Sequence, residues 1–349
     1  MSPELPSPVR SALVTAGYRG GWWAVRRMPE RTARALFAGL AGDVSRRRGR
    51  AVRQLEANLA RVVPDAGPEQ LRELTLASLR SYFRYWCEAF RLPVTDPARA
   101  AGLVDAPDAE RILAPIRAGR GVIVALPHMA NWDLAGVWAV QQGMPVSTVA
   151  ERIRPEALFE RFCAYRRGLG IDVLPLRGAD GGPPAVDPTV VLAERLRAGG
   201  LACLVADRDI SARGQPVRLL DAPALMPAGP AVLAVRTSAA LVPATLWYSG
   251  ERMHIDLHPE VTAPPGARLR EAVASMTQQV ADVFTVGIRA HPADWHMMQR
   301  VFVDSSGPAT AGPATPPSEE SGPAGPFEVP APDAAPYGAR AAGPRPGTA

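Results

Sequence analysis

Residues 121–143 read GVIVALPHMANWDLAGVWAVQQG and predict a strand, a short loop and a helix. The first six residues are apolar and rich in β-branched side chains, as in a buried strand. The predicted strand ends before Pro127 and His128, which begin the loop. Asn131 is a suitable N-cap for a helix that ends before Gly143. The stretch therefore predicts one strand–helix unit of an α/β sheet, with His128 in the connecting loop.

His128 and Asp133 have the spacing H-x-x-x-x-D across that loop. A neutral imidazole can take a proton from a hydroxyl, and a carboxylate on its other nitrogen holds the required tautomer. Such pairs also occur by chance in loops. However, ligands and catalytic groups collect at the carboxyl ends of parallel strands. We therefore expect His128 to be a general base and Asp133 to orient it.

Strands and helices alternate along the chain after this unit. Short apolar runs predict strands at 121–126, 145–150, 171–176, 201–206, 241–248 and 253–258, and the segments between them predict helices at 131–142, 155–168, 188–198, 228–238 and 268–290. This alternation is typical of a mostly parallel sheet. The last two strands, joined across Ser249-Gly250, predict a hairpin. The expected fold class is an α/β sandwich with a mostly parallel central sheet and a helical N-terminal region.

The predicted organisation has three parts. Residues 1–100 form the helical N-terminal region, and residues 101–304 form the α/β core. Residues 305–349 are rich in Pro, Ala, Gly and Ser and contain few large apolar side chains. Such a segment cannot bury enough surface to offset its ordering entropy, so we expect a disordered and dispensable tail.

Aromatic and basic residues alternate in the helical segment between about Arg10 and Arg61. A face with Trp22, Trp23 and neighbouring arginines such as Arg26 suits a helix that lies in a membrane interface. A helical hairpin packed on the core with a solvated basic face is the alternative. We expect peripheral attachment to an anionic membrane surface through this region.

Composition restricts the classes of function that the chain can have. The net charge of +5 permits anionic surfaces or substrates, and the sequence has no aromatic-interleaved basic block, so nucleic acid is not an expected partner. Its three cysteines are far apart and are expected to be buried free thiols of a reducing compartment. No apolar run approaches the ~20 residues of a spanning helix, which predicts a cytosolic protein or one bound to a membrane face.

Polar residues follow several other predicted elements and are candidate substrate-binding groups. They lie at strand ends, on the helix after the second strand, or after the last helix: Glu151, Arg152, Arg166, Asp207, Arg208, Asp209, His291, Asp294 and His296. Surface ion pairs or capping networks are the structural alternative. His291 and His296 lack a second ligand pair at metal-binding spacing, so we predict no metal site.

The stretch LPHMANWD at 126–133 resembles the HX4D motif of lysophospholipid and lipid A-type acyltransferases, in particular that of the phosphatidylinositol mannoside acyltransferases of actinobacteria. Further similarity lies in TVAER, ADRD, MPAGPA and HPADWH, at residues 148–152, 206–209, 226–231 and 291–296. The resemblance runs from about Ser11 to Val303. The chain departs from the family in Met129 and Ala130, where the residues are usually small, and in Asp207, where Glu is common.

This resemblance implies transfer of a fatty acyl group, typically palmitoyl from coenzyme A, to the 6-hydroxyl of the mannose on inositol position 2. Acyl-CoA would be the co-substrate and mannosylated phosphatidylinositol the acceptor, at the cytoplasmic face of the plasma membrane, with no cofactor. The chemistry of the residues agrees, because a sugar hydroxyl needs a general base and a thioester is already activated. Arginines near the site would hold phosphates, and apolar helix faces would form an acyl groove.

Three other functions stay open at this point. A hydrolase that passes the acyl group to water could share His128 and Asp133. A lipid-binding protein without catalysis is the second alternative, although it would have no need of a base. An acyltransferase for another glycolipid or a lysophospholipid is the third, because acceptor identity is what the sequence indicates least.

Overall fold

The computed structural model describes residue 17 and residues 20–153, 155–178, 182, 184–209 and 214–303. After a helical segment at 20–27, the first part of the chain contains α1 (Glu30–Arg47), α2 (Arg50–Val62), α3 (Pro68–Arg91) and the short α4 (Pro97–Ala101). The predicted tail at 305–349 lies outside the described residues.

Nine strands and six further helices complete the described part of the chain. The strands are β1 (Val104–Asp105), β2 (Val122–Leu126), β3 (Val146–Ala150), β4 (Ile171–Pro175), β5 (Leu201–Val205), β6 (Gln215–Leu219), β7 (Ala222–Met226), β8 (Ala240–Ser249) and β9 (Arg252–Leu257). The helices are α5 (Glu110–Arg117), α6 (Trp132–Gln141), α7 (Glu156–Gly168), α8 (Pro188–Arg197), α9 (Gly229–Thr237) and α10 (Leu269–Ala290).

Seven strands form the central sheet, in the order β1-β9-β8-β2-β5-β3-β4. All neighbouring pairs are parallel except the β8–β9 hairpin, which is antiparallel. The predicted mixed α/β fold with a mostly parallel sheet is confirmed, and so is the hairpin across Ser249-Gly250. β2, buried along its whole length, lies between β5 and β8 near the middle of the sheet.

The register between β2 and β5 determines which loop residues meet. Leu126 pairs with Val205, and the amide of Ala206 donates a hydrogen bond to the carbonyl of Leu126 at 2.8 Å. Parallel strands end at the same edge of a sheet. His128 and Asp207 each lie two residues beyond the paired ends, so the fold places their loops side by side.

The N-terminal helices pack on the core through their aromatic face. Phe37 of α1 is buried between Phe83 and Phe90 of α3, at ring-centroid distances of 6.4 and 6.1 Å. Trp22 is only 1 % exposed, whereas its neighbour Trp23 is 59 % exposed. The expectation that both tryptophans face a membrane is therefore wrong for Trp22, which belongs to the core.

The antiparallel hairpin β6–β7 was not predicted from the sequence. Its turn at Leu220 and Asp221 has φ angles of 51° and 61°, which a tight hairpin turn requires but which glycine or asparagine usually supplies. The customary turn signal is therefore missing from the sequence. The hairpin is held by tertiary contacts instead, since the amide of Leu220 donates to the hydroxyl of Thr285 on α10 at 3.0 Å.

Across the described ranges, no helix combines the length and the apolar character that crossing a bilayer requires.

Candidate active site

The loop between β2 and α6 is held in place by the segment after α10. The amide of Ala130 donates to the carbonyl of Asp294 at 3.0 Å, and the amide of His296 donates to the carbonyl of His128 at 2.8 Å. Ala130 has a φ of 43°, a left-handed conformation that is unusual for a residue with a Cβ. Asn131 then caps α6, because its side-chain oxygen accepts from the amide of Leu134 at 3.0 Å. The loop therefore presents His128 in one defined backbone conformation.

The imidazole of His128 is paired with Asp207. Its Nδ1 lies 2.5 Å from Oδ1 of the carboxylate, and its backbone amide donates to Oδ2 at 2.9 Å. The His128 side chain is one third exposed, whereas the Asp207 side chain is fully buried. A carboxylate on Nδ1 keeps the proton there and leaves Nε2 as the basic nitrogen. Within the described residues, Nε2 has no hydrogen-bond partner, so it is available to a substrate hydroxyl.

Asp207 is held by a third donor. The indole Nε1 of Trp295, a fully buried side chain, donates to Oδ2 at 2.9 Å. Burial by itself raises the pKa of a carboxyl group, but the charge and hydrogen bonds of His128 and the Trp295 bond outweigh burial. The pKa of Asp207 is therefore lowered, and the carboxylate stays charged beside the imidazole.

The predicted pairing of Asp133 with His128 is wrong. Asp133 lies in the first turn of α6 and is buried, with Oδ1 accepting from Nε of Arg166 at 2.7 Å and Oδ2 accepting from the hydroxyl of Tyr85 at 3.1 Å. These partners belong to α7 and α3, so the carboxylate joins three helices instead of orienting the imidazole. The charge of Asp133 raises the pKa of Arg166 although burial opposes it.

Asp207 and Arg166 were predicted to bind substrate, but the structure shows that both side chains are bonded to other protein groups. Asp207 is buried against His128, where it orients the imidazole. Arg166 is occupied by Asp133, although its side chain also borders the apolar cavity described below. Both residues contribute to the site through bonds to protein partners. Those partners are distant along the chain, so the sequence alone does not indicate them.

The other predicted residues after β3 and β5 bond to neighbouring residues. Glu151 faces Arg208 at 3.6 Å between carboxylate oxygen and guanidinium nitrogen. Burial raises the pKa of Glu151, and the charge of Arg208 partly opposes this. Arg152 bonds Glu156 at 3.0 Å through its Nε, and the Asp209 carboxylate accepts from the amide of Gly214 at 3.0 Å. These contacts match the ion pairs and capping networks that were the structural alternative.

The residues after α10 serve mainly to brace the site. Asp294 and His296 are buried, and both bond the hydroxyl of Ser81, at 2.5 and 2.9 Å. Their burial argues against the expected direct contact with substrate. His291 stacks on Trp247 with ring centroids 4.1 Å apart.

An apolar cavity lies between α6 and one face of the sheet. With its open mouth it encloses about 770 Å³. Alternate residues of the central strands line it, as expected for one face of a sheet: Val124, Leu126, Leu201, Cys203, Val205, Ala244, Leu246, Ile255 and Leu257. Its polar lining includes Asp133 and Arg166. Trp132, whose ring lies 5.8 Å from that of His128, connects the cavity to the imidazole.

Several contributors to the site were not selected from the sequence. Tyr85 and Ser81 lie on α3, where neither stands out by sequence from the other residues of an amphipathic helix. Glu88 accepts bonds from the Asn131 amide group and from the Tyr248 hydroxyl, both at 2.8 Å. Trp295 stands beside Asp294 in the DWH stretch, and that adjacency was the available signal for it.

Comparisons with known proteins find a matching family model and similar curated proteins. The family model for bacterial lipid A biosynthesis acyltransferases matches residues 8–303. A phosphatidylinositol mannoside acyltransferase of Mycolicibacterium smegmatis is 43 % identical over 296 residues, covering 85 % of this chain and 93 % of the relative. A protein of the same name from Mycobacterium tuberculosis strain H37Rv is 42 % identical over 305 residues, covering 85 % of this chain and 92 % of the relative.

Proposed function

The chain belongs to the bacterial lipid A biosynthesis acyltransferase family, and from this membership we propose that it acylates a mannosylated phosphatidylinositol. The donor is acyl-CoA, with palmitoyl-CoA as the first choice. The acceptor is the 6-hydroxyl of the mannose on inositol position 2. The names of the two mycobacterial relatives support the acceptor, while the donor and the position follow from the family resemblance of the HX4D stretch.

The observation that carries the catalytic proposal is the bond between His128 Nδ1 and Asp207. It leaves Nε2 to take the proton from the mannose hydroxyl as the oxygen attacks the thioester carbon. The thiolate of coenzyme A is the leaving group, and the proton on the imidazolium can pass to it. Asp207 stabilises the imidazolium that forms in between. The thioester is already activated, so the mechanism needs no metal and no covalent enzyme intermediate.

The apolar cavity is proposed to hold the fatty acyl chain. Its lining is mostly apolar, as an acyl chain requires, and it opens at its mouth to solvent. The contact of Trp132 with His128 would bring the carbonyl end of the chain close to the base. We further propose that the enzyme works at a membrane surface, because its acceptor carries two acyl chains, and the family resemblance implies the cytoplasmic face of the plasma membrane.

The test is an acyl-transfer assay with radiolabelled palmitoyl-CoA, with and without the mannolipid acceptor. Wild type should form acylated mannolipid, and His128→Ala should lower the rate by about 10²–10⁴-fold while palmitoyl-CoA binding is kept. Release of free fatty acid at an equal rate without acceptor would instead identify a hydrolase. Transfer to lysophospholipids but not to mannolipid would contradict the proposed acceptor. Near-normal turnover by His128→Ala would contradict the proposed general-base mechanism.

A further inference from the structure

Trp22 lies at the centre of a cluster of basic and aromatic side chains where segment 20–27 meets α7. The guanidinium carbons of Arg26 and Arg161 lie 4.9 and 5.1 Å from the centroid of its ring. Tyr165 contacts the same ring edge-on, with centroids 5.4 Å apart. We call these four residues the Trp22 cluster.

The two arginines of the cluster lack a counter-charge. Neither forms an ion pair with any carboxylate in the part of the chain that the structure describes. The Nε of Arg26 donates to the carbonyl of Phe90 at 3.2 Å. The Nε of Arg161 is buried and has no hydrogen-bond partner among the described residues. Burial and the nearby charge of Arg161 both lower the pKa of Arg26, so a bound anion would relieve an unfavourable pair of like charges.

Tyr165 adds an unused hydrogen-bonding group. The residue is 8 % exposed, and its hydroxyl is buried without a partner in the described structure. Leaving a buried hydroxyl unpaired is costly, so such a group usually marks a missing partner. Burial raises the pKa of this hydroxyl well above its usual value, so it keeps its proton and can donate.

We propose that the Trp22 cluster binds a phosphate group of one of the two substrates, either the phosphodiester of the acceptor lipid or a phosphate of coenzyme A. The planar fork of arginine matches phosphate oxygens, and charge-assisted hydrogen bonds to phosphate are the strong ones. Only the identity of the two phosphate-bearing molecules rests on the proposed function.

The position of the cluster fits such a ligand. On one side, the adjacent Trp23 is exposed and stacks with Arg27, whose guanidinium carbon lies 4.2 Å from its ring. On the other side, Tyr165 interacts with Asp133, which lines the apolar cavity: burial and then the charge of Asp133 raise the pKa of Tyr165. The cluster thus lies between an exposed aromatic–basic surface and the cavity, where a substrate with an apolar chain and an anionic group would place its charge.

The experiment measures binding of two soluble probes by calorimetry. The probes are glycerophosphoinositol, which carries the acceptor's phosphodiester, and coenzyme A. The double variant Arg26→Gln with Arg161→Gln should bind one probe about 10–100-fold more weakly than wild type, the loss of one or two charge-assisted bonds. The control is Arg167→Gln, which removes an exposed charge from α7, the helix of Arg161. The Nε of Arg167 donates to the carbonyl of Cys163. This variant should change the affinity for either probe by no more than twofold.

The probe that is affected identifies the source of the phosphate. Weaker binding of glycerophosphoinositol assigns the cluster to the acceptor, and weaker binding of coenzyme A assigns it to the donor. Unchanged affinity for both probes, equal loss in the control, or no measurable binding of either probe by wild type overturns the proposal. Should the double variant melt early, Arg161→Gln alone provides the same comparison. Wild type that binds a probe through these arginines but transfers no acyl group refutes the proposed function and leaves the phosphate site standing.

Discussion

The imidazole of His128 is oriented by a carboxylate 79 positions away along the chain, not by the one five positions away. Asp133 has the right charge and spacing, but its carboxylate is already bonded to Arg166 and Tyr85 on other helices. The two aspartates therefore perform separable tasks. Asp207 sets the tautomer of the His128 imidazole, and Asp133 holds the helices around the cavity.

Asp207→Asn is expected to lower the transfer rate by about 10²–10⁴-fold. The amide oxygen of asparagine would be drawn to the two donors at Oδ2, the His128 amide and the Trp295 indole. Its NH₂ group would then face Nδ1, which must become an acceptor, and the proton would move to Nε2, where the base is needed. Steady-state kinetics measure the loss, and circular dichroism checks the fold.

Asp133→Asn is the control for Asp207→Asn, because it makes the same substitution at the other buried aspartate. Removing this charge leaves Arg166 buried without its ion-pair partner, which should lower the free energy of unfolding by about 3–5 kcal/mol. The tautomer of His128 is unaffected, so the rate per folded molecule should fall far less than in Asp207→Asn. Urea unfolding and active-site titration give the two numbers. A larger rate loss in Asp133→Asn than in Asp207→Asn would restore the pairing expected from the sequence.

At the scale of elements, the segment 292–298 acts as a strap between the helices α2 and α3 and the loop that carries His128. Ser78 of α3 donates to the carbonyl of Trp295 at 3.0 Å, and the Asn58 amide group of α2 donates to the carbonyl of Met297 at 2.8 Å. Through the bond from the His296 amide to the His128 carbonyl, this strap holds the His128 loop. The strap has little regular structure, so no periodic pattern in the sequence could reveal its role.

His296 makes the strap sensitive to acid. Burial, together with the neighbouring His128, lowers its pKa to about 3, against about 6.5 in an unfolded chain. Below pH 6.5 the unfolded chain takes up a proton that the folded protein does not, so stability is lost as the pH falls from 6.5 towards 3. Between pH 7.5 and pH 5.0 this one group should cost about 2 kcal/mol of unfolding free energy.

The comparison that isolates this effect is His296→Gln. Its unfolding free energy, measured with urea at both pH values, should drop by about 2 kcal/mol less than that of wild type. Glutamine can still bond the Ser81 hydroxyl, so the variant keeps a polar group in the strap. Parallel losses in the two proteins would show that His296 titrates normally.

At the scale of the whole molecule, the N-terminal helices supply the best candidate for a membrane-facing surface. Trp23 and Leu36 are exposed there, at 59 % and 43 %, together with the arginines Arg27 and Arg31. Indole and aliphatic groups enter the lipid interface, and each arginine near an anionic surface contributes about 1 kcal/mol. Trp22, in contrast, is buried and cannot take part.

Arg27→Glu with Arg31→Glu should weaken binding to anionic vesicles at least tenfold at low salt, and binding by wild type should weaken as salt is raised. Co-sedimentation with anionic and neutral vesicles measures both effects. The control Arg236→Glu with Arg270→Glu reverses two exposed charges on other helices and should bind as wild type does. If both double variants bind equally weakly, net charge and not this surface causes the attachment.

The chain's own patterns determined the alternation of strands and helices, because periodicity and caps are local properties. The strand–loop–helix unit at 121–143, the β8–β9 hairpin and the position of His128 after a buried strand could all be predicted in this way. The hairpin β6–β7 could not, since its turn residues Leu220 and Asp221 carry no turn signal and are held by contacts with α10.

Only the tertiary structure decided which carboxylate pairs with the imidazole of His128. Local sequence indicates where a strand ends, but it does not contain the order of strands in a sheet. β5 is the third strand after β2 along the chain and yet lies beside it, in the register that pairs Leu126 with Val205. β2 and β5 are neighbours because this strand order lets the whole sheet bury its apolar faces. The arrangement brings Asp207 next to His128, while residues of α3 and α7 bond to Asp133.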